Sequence, residues 1–327
     1  MHEPNSVEVH THLTSDEIQR SLEEDVRKGL LGPVKSLPPT WFYDDEGSRL
    51  FEEITELDEY YPTRAERALL KNHAREIAQA SQATTLVELG PGSCAKSRIL
   101  LDAMRHNNAL ERYIAMDVSE EMIVTSAHEL TAEYSGLKVT AVVGDFRRHL
   151  QYIPPVDRQL IAFLGGTIGN FTPLQREKFL FDLNCSMDAS DYLLIGADLA
   201  KDPKLMVSAY DDASGVTARF NKNLLNVLNS RLSADFDPDL FDHVAFWTPR
   251  DSRIEMRLRS RVDQSIHFAT INLTVAFVAG EELLTEISTK FNPHQLESEL
   301  QESGFVLDKV FGAYEGEFLL ALAHPHC

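Results

Sequence analysis

Residues 86–93 read Leu86-Val87-Glu88-Leu89-Gly90-Pro91-Gly92-Ser93. A short apolar run that meets an acidic residue and then Gly-x-Gly reads as a strand entering a tight turn. There the backbone can approach a bound group closely, at the N-terminus of the helix that follows. Gly90, Gly92 and Ala95 also satisfy the looser dinucleotide fingerprint. Taken alone, the segment leaves open which cofactor it holds, or whether it is only a structural turn.

The flanking sequence supplies the context. Upstream, Tyr61-Pro62-Thr63-Arg64-Ala65-Glu66 opens a helix, with Thr63 as N-cap and Glu66 three residues on, the spacing of a capping box. Strands are predicted at 85–89, 113–116, 139–143, 160–164 and 192–197. Each is apolar on both faces, as in the centre of a parallel sheet covered by helices. Helical stretches at 96–105, 120–133 and 173–183 alternate with them, which implies an α/β doubly wound sheet. After Asp198 the rhythm changes to one long helix over 203–229, then alternating segments at 253–262, 265–278 and 284–291 that read as antiparallel strands with one wet face. A helix at 293–303 and short strands at 309–311 and 318–323 are expected to rejoin the sheet. The expected organisation is a sheet domain of residues 64–200 and 290–327, with an inserted α+β domain of residues 12–63 and 201–289.

Asp117 closes the second of these strands, where a carboxylate can take both ribose hydroxyls of an adenosyl group. Gly144-Asp145-Phe146 closes the third, placing a carboxylate near an adenine amino group and an aromatic ring beside the base. A nicotinamide dinucleotide calls for the first two features and not the third, so an adenosyl-sulfonium donor is the better fit. The bland alternative for Asp117 is that it caps the next helix. The fourth strand runs into Phe163-Leu164-Gly165-Gly166-Thr167-Ile168-Gly169-Asn170-Phe171. Its glycines let the backbone approach two substrates, and Asn170 offers both a donor and an acceptor. The alternative there is a plain glycine loop with Asn170 as helix cap.

Composition narrows the partners. With 31 basic and 51 acidic residues the net charge is −20, which repels polyanions. The run Arg253, Arg257, Arg259 and Arg261 alternates with Ile254, Met256 and Leu258 and reads as a solvated strand face. Neither nucleic acid nor an anionic membrane is expected as a partner, and a small polar metabolite is. No apolar run approaches the ~20 residues of a membrane span. The polar stretch 1–11 is no secretory signal, so residence in the cytoplasm is expected; a monomer is expected as well. Cys94, Cys185 and Cys327 are too few and too scattered for a disulfide framework. His324, His326 and Cys327 read as a frayed tail, and no metal is expected.

The glycine segment at 163–171 resembles the signature of the histidine-specific methyltransferases of ergothioneine biosynthesis. The resemblance extends over nearly the whole chain: through Lys35-Ser36-Leu37-Pro38-Pro39-Thr40-Trp41-Phe42-Tyr43-Asp44, Glu59-Tyr60-Tyr61-Pro62-Thr63-Arg64 and Ala209-Tyr210-Asp211-Asp212, then Ile254-Glu255-Met256 and Leu284-Thr285-Glu286-Ile287-Ser288-Thr289-Lys290-Phe291. It implies a Rossmann-type class I methyltransferase sheet with an inserted α+β substrate-binding domain. The implied activity is transfer of three methyl groups from S-adenosyl-L-methionine to the α-amino nitrogen of L-histidine.

The resemblance also assigns residues. Tyr60, Asn170, Tyr210, Glu286 and Ser288 would surround the histidine, with Asn170 and Tyr210 on its carboxylate and Glu286 and Ser288 on its imidazole. Tyr43, Phe51, Gly165, Thr167 and Met256 would line the pocket, with Tyr43 and Asn170 at its reacting end. Gly90, Lys96, Asp117, Asp145 and Phe146 would hold the cofactor. Pro91 and Cys94 depart from the small polar residues of the family's loop, and 311–318 lacks its tryptophan.

Physical chemistry agrees with the ring assignment. Glu286 and Ser288 lie two apart on a strand and face one way, and a carboxylate plus a hydroxyl can satisfy both nitrogens of an imidazole. A solvated strand face with Glu286 paired to Lys290 is the bland reading, and packing alone would account for Met256. The proton lost by the substrate ammonium has two open routes, Tyr43 through water or bulk solvent. Methylation of another amino acid such as tryptophan, a nicotinamide oxidoreductase and a non-catalytic binding module are the competing readings. The first is disfavoured by Glu286, the second by Asp145-Phe146, and the third by two intact sets of motifs.

Overall fold

The computed structural model describes residues 7–107, 109–312 and 316–326. In chain order the strands are β1 (Val7–Thr11), β2 (Thr85–Leu89), β3 (Arg112–Asp117), β4 (Lys138–Val143), β5 (Gln159–Phe163), β6 (Tyr192–Asp198) and β7 (Phe241–Thr248). They continue with β8 (Arg253–Ser260), β9 (Gln264–Phe268), β10 (Leu273–Phe277), β11 (Glu282–Thr289), β12 (Phe305–Phe311) and β13 (Phe318–Pro325). The α-helices are α1 (Ser15–Leu30), α2 (Asp45–Thr55), α3 (Tyr61–Ser81), α4 (Ser97–His106), α5 (Glu120–Glu133), α6 (Pro173–Cys185), α7 (Pro203–Ser208), α8 (Val216–Leu232) and α9 (Pro293–Glu302). No helix among the described residues is long and apolar enough to cross a membrane. The chain divides into two compact units. One takes in the described residues of Met1–Leu13, Pro62–Ala200 and Lys290–Cys327, and the other Thr14–Tyr61 and Lys201–Thr289.

The first unit is built on a sheet of order β1-β4-β3-β2-β5-β6-β13-β12, parallel except for β13. The five strands expected at its centre are all present. Alternate residues of each feed opposite faces. Leu86, Tyr113, Ala141 and Leu160 pack with Leu70, Leu100 and Leu130 of α3, α4 and α5. Val87, Ile114, Val142 and Ile161 pack with Phe179 and Leu183 of α6 and Leu296 and Leu300 of α9. Both faces are therefore dry, which is why these strands read as continuous apolar runs. The strand order reverses at the β2/β5 boundary, and such a sheet opens its ligand crevice beyond the carboxyl ends of the strands there. The loops after β2 and β5 are the two glycine segments singled out in the sequence.

The second unit has one apolar core. It gathers Leu22 and Val26 of α1, Leu50 and Ile54 of α2, Phe220, Leu224 and Leu228 of α8, and Ile254, Met256 and Leu258 of β8. Its sheets are a three-stranded antiparallel β11-β8-β7 and a hairpin of β9 and β10. The arginines of β8 stand on its other side in an ion-pair ladder. Arg253 and Arg257 hold Glu255 and Arg259 holds Glu282, and just past the end of the strand Arg261 holds Asp242.

Several elements differ from the sequence reading. The expected strand over 265–278 is a hairpin, because Asn272 turns the chain at φ +48 after a short 3-10 turn. The expected strand over 284–291 ends at Thr289. Lys290 instead meets Asp198 at 2.7 Å within the first unit, and the Phe291 amide bonds the Asp198 carbonyl. Strands β1 and β7 gave no clear pattern. β1 is a short edge strand with exposed residues, and β7 is half-buried along most of its length.

The expected long helix over 203–229 is two helices, and Tyr210 sits in the break between them. Asp212 explains the break. Its carboxylate accepts from the amides of Val216 and Thr217 at 2.9 and 2.7 Å and from the Ser214 hydroxyl, so it caps α8 from four residues upstream. Burial pushes this carboxyl up, but those donors outweigh burial and hold it well below the ordinary aspartate value. Asp212→Ala should cost about 1–2 kcal/mol at neutral pH, the usual loss of a helix cap. A depressed carboxyl contributes its stability above the unfolded value and loses it on acidification. Thermal melts should therefore show the wild-type advantage shrinking as pH falls below about 4; an advantage independent of pH contradicts the ionised cap.

Candidate functional site

In the first unit the loop after β2 holds Gly90 at φ +71 and Gly92 at φ +56, conformations that disfavour any side chain. Gly90 donates its amide to the Met116 carbonyl at 2.8 Å, and a Cβ there would touch the Phe146 ring at 3.5 Å. Asp117 accepts from the Gly92 amide at 3.4 Å and the Ser119 amide at 3.0 Å. Burial pushes its carboxyl up. Gly90, Asp117 and Phe146 are thus drawn together from the ends of three neighbouring strands. Phe146 is held edge-on by Phe163, Phe171 and Phe179. Asp145 is nearly buried and engaged on both oxygens by the Arg147 guanidinium, at 2.8–3.2 Å. Burial raises this carboxyl, and the Arg147 contacts more than reverse that and hold it low.

Glu88 points inward. Ser97 Oγ and Tyr113 OH both donate to it, and Cys94 Sγ lies 3.3 Å from Tyr113 OH. Burial, and then the neighbouring Glu88, pushes the Cys94 thiol up to about 11. Cys94, the departure noted in the loop, is therefore a packing residue at φ +55 rather than a nucleophile.

The loop after β5 carries Gly165 at φ +81 and Gly166 at φ +68, followed by a 3-10 turn from Thr167 to Asn170. Thr167 Oγ1 closes the turn on the Leu164 carbonyl at 2.8 Å, and Arg176 anchors its far end on the Phe171 carbonyl at 2.8 Å. Asn170 is not the helix cap. That role belongs to Thr172, which forms a capping box with Gln175 on α6.

The sequence reading of Glu66 is also corrected. Helix α3 starts at Tyr61, Thr63 lies inside it, and the fully buried Glu66 carboxylate turns to the sheet. It accepts the Gly165 amide at 2.8 and 2.9 Å and the Lys96 ammonium at 2.6 Å. Gly196 in mid-strand β6 makes this possible, since a Cβ there would lie 2.0 Å from Glu66 Oε1. A lone glycine inside an apolar strand is the sequence signal of such a close approach.

In the second unit, Tyr210 OH and Ser288 Oγ are hydrogen-bonded at 2.8 Å. The Tyr60 ring stands 6.1 Å from Tyr210, Phe51 6.3 Å from Tyr60, and Tyr43 5.7 Å from Phe51. This makes one aromatic series ending on a hydroxyl pair. Glu286 lies directly opposite Met256 in the β11/β8 register and Ser288 opposite Ile254, so Glu286, Ser288 and Met256 share a face. A bulge just before Glu286 is held by Thr285 Oγ1, which donates to the Met256 carbonyl at 3.0 Å. Met256 itself is buried in the core. His243, unremarked in the sequence, supports Tyr210 from behind: Nε2–H donates to the Tyr210 carbonyl at 2.8 Å, and Nδ1 accepts from Asn221 at 2.9 Å. Burial lowers its pKa, which keeps this tautomer neutral. Among the described residues no set of three His, Cys, Asp or Glu side chains is grouped as for a metal, and His324 bonds the Pro325 carbonyl. Cys327 lies outside the described residues.

A doubly wound sheet with a reversed penultimate-edge strand and two glycine loops at its switch point is the fold of an S-adenosylmethionine-dependent methyltransferase. A solved enzyme of that class from Clostridium acetobutylicum shares it, with a TM-score of 0.50 at 12% identity over 85% of this chain and 99% of its own. The chain belongs to the histidine-specific, S-adenosylmethionine-dependent methyltransferase family, whose model matches residues 22–325. It is 49% identical to the histidine N-alpha-methyltransferase of Mycolicibacterium smegmatis over 95% of this chain and 97% of that one. To its Mycobacterium tuberculosis counterpart it is 48% identical, over 97% and 99%. The ergothioneine biosynthesis protein 1 of Schizosaccharomyces pombe is 35% identical over 63% of this chain and 28% of that protein.

The thiol chemistry of the cofactor-side loop is testable. Iodoacetamide at pH 8 should label the exposed Cys185 and leave Cys94 unmodified in the folded protein. Peptide mass spectrometry reads this directly, and rapid labelling of Cys94 contradicts its burial.

Proposed function

We propose that this chain trimethylates the α-amino nitrogen of free L-histidine, giving hercynine and three S-adenosyl-L-homocysteines from three S-adenosyl-L-methionines, the first step of ergothioneine biosynthesis. The observation that carries the choice of substrate is the Tyr210–Ser288 hydroxyl pair on the strand face shared with Glu286. The Tyr210 hydroxyl fixes the Ser288 side chain beside Glu286. A carboxylate at Glu286 and a hydroxyl at Ser288, which can donate or accept, are the complement of an imidazole's two nitrogens. An indole has a single donor and leaves half of such a site unpaired.

The cofactor-side residues fit S-adenosylmethionine. Gly90 and Gly92 form a backbone cradle at positive φ, and Asp117 stands half-buried beside it. Lys96, Asp145 and Phe146 complete the set, with Asp145 acting while held by Arg147. The bound donor supplies an electrophilic methyl on a sulfonium. The protein's tasks are alignment and delivery of a neutral amine. Asn170 and Tyr210 hold the substrate carboxylate. Gly165 and Gly166 leave room at the nitrogen, and Thr167, Tyr60 and Met256 bound the pocket. The proton lost before each attack leaves by one of two routes, through Tyr43 and water or directly to bulk solvent. The ammonium starts with three protons and ends with three methyls, so three protons leave in all. Tyrosine faces suit the quaternary product by cation–π attraction of about 0.5–2 kcal/mol. The net charge of −20, and arginines already committed to carboxylates, support a small metabolite rather than nucleic acid or membrane as partner.

Incubation with S-adenosylmethionine and each of the twenty amino acids, read by mass spectrometry, should show a gain of three methyls on histidine alone. Ring methylation, or equal turnover of tryptophan, overturns the assignment.

Glu286→Ala should lower kcat/KM for histidine by on the order of 10- to 150-fold, the loss of a charged hydrogen bond. It should also raise tryptophan relative to histidine, because the carboxylate no longer has to be stripped of water by a ring that cannot pair with it. The ratio of the two specificity constants in wild type and variant is the readout, and an unchanged ratio places Glu286 outside the pocket.

A further inference from the structure

We infer that Glu66 is a positioning residue for methyl transfer, one carboxylate that holds the cofactor-side lysine and the substrate-side glycine loop in a fixed relation. The inference rests on the proposed function, in which Lys96 contacts the methyl donor and Gly165 lies beside the accepting amine.

The geometry is economical. The Glu66 side chain has no exposure, and a carboxylate so buried is stable only where donors surround it. Gly165 donates its amide to both oxygens, at 2.8 and 2.9 Å, and Lys96 donates to Oε2 at 2.6 Å. The chain gives up a side chain at Gly196 to admit it, where a Cβ would fall 2.0 Å from Oε1. What it holds does not hold itself. Gly165 is exposed, and two consecutive glycines at φ +81 and +68 have the largest conformational freedom to lose. A charge-assisted bond to the first amide fixes the direction of that peptide plane. Lys96 precedes α4 at the end of the first glycine loop and keeps about a fifth of its side chain exposed, so Glu66 takes one ammonium proton and leaves two directed elsewhere. Movement of Glu66 therefore displaces both partners at once, and a misplacement of about 1 Å can cost on the order of 100-fold in rate.

A merely structural ion pair would affect melting and leave the chemistry of folded molecules alone. The test uses the full chain as wild type, Glu66→Gln and Glu66→Asp, with three readouts: melting temperature, calorimetric affinity for S-adenosylhomocysteine, and steady-state methyl transfer with histidine varied. Glutamine keeps the shape and one acceptor oxygen but removes the charge and sets an amide NH2 in place of one of the two oxygens that accept from Gly165. Aspartate keeps the charge and withdraws it by one methylene. Both variants should show kcat lowered by about 10- to 100-fold per folded molecule, with KM for histidine within about threefold. Affinity for S-adenosylhomocysteine should fall by about tenfold, as after Lys96→Met. Adding Lys96→Met to Glu66→Gln should weaken that affinity by less than about twofold more, because both changes break one contact. Wild-type kcat and affinity in a folded Glu66→Asp protein, or effects of the two sites that multiply, overturn the inference. If Glu66→Gln does not fold, the aspartate variant decides. A wild type that does not methylate histidine contradicts the substrate reading alone, and the affinity measurements still judge Glu66.

Discussion

A carboxylate buried against the end of a parallel sheet must be met by donors, and the first unit is arranged around meeting Glu66. The amide of Gly165 and the ammonium of Lys96 converge on it, one from the loop after β5 and the other from the loop after β2. Those loops flank the point where strand order reverses, the place where a doubly wound sheet has no helix to fill its carboxyl edge. Glycines are needed there because the backbone itself forms the surface. Left alone they would sample many conformations, so the same positions that open the site also require a rigid tie. Gly196 completes the arrangement by withholding a side chain where Glu66 enters.

The second unit handles a different problem, presenting polar groups from an apolar core. Tyr210 and Ser288 satisfy each other while buried, and neither is left as an orphaned hydroxyl. Tyr210 is available for this because α7 and α8 do not fuse. Asp212 captures the first amides of α8, and a neutral His243 braces the carbonyl of Tyr210. The bulge before Glu286, closed by Thr285 on the Met256 carbonyl, sets which residues of β11 stand opposite β8. Each of these supports lies outside the set of residues that chemistry alone would nominate. Each is a hydrogen bond to backbone rather than a contact a ligand would make.

Much of the first unit was legible from residue order. Strands dry on both faces leave continuous apolar runs, and Gly90, Asp117, Asp145 and Gly165 follow successive strand ends, so both the sheet and its loops could be placed. The misreadings share a cause. Thr63 and Glu66 have the spacing of a capping box, and the local pattern is the same whether the glutamate turns back on its own helix or inward to a sheet a hundred residues away. The span 203–229 is helical in composition, and its break depends on one aspartate reaching four residues forward. The hairpin at 264–277 hides in an alternating run because a single αL asparagine reverses it.

What the order of residues determined by itself is therefore what depends on near neighbours: apolar periodicity, glycines that require positive φ, and carboxylates and aromatics at the ends of strands. These follow from backbone sterics and from the exclusion of water, which act over a few residues and leave a periodic trace. What only the tertiary structure decided is which buried polar group meets which: Glu66 with Gly165 and Lys96, Lys290 with Asp198, Tyr210 with Ser288 and His243. Those pairings join positions from 30 to 99 residues apart. Their energy comes from short-range directional bonds formed after the apolar layers have brought the chain together, and no local pattern records them.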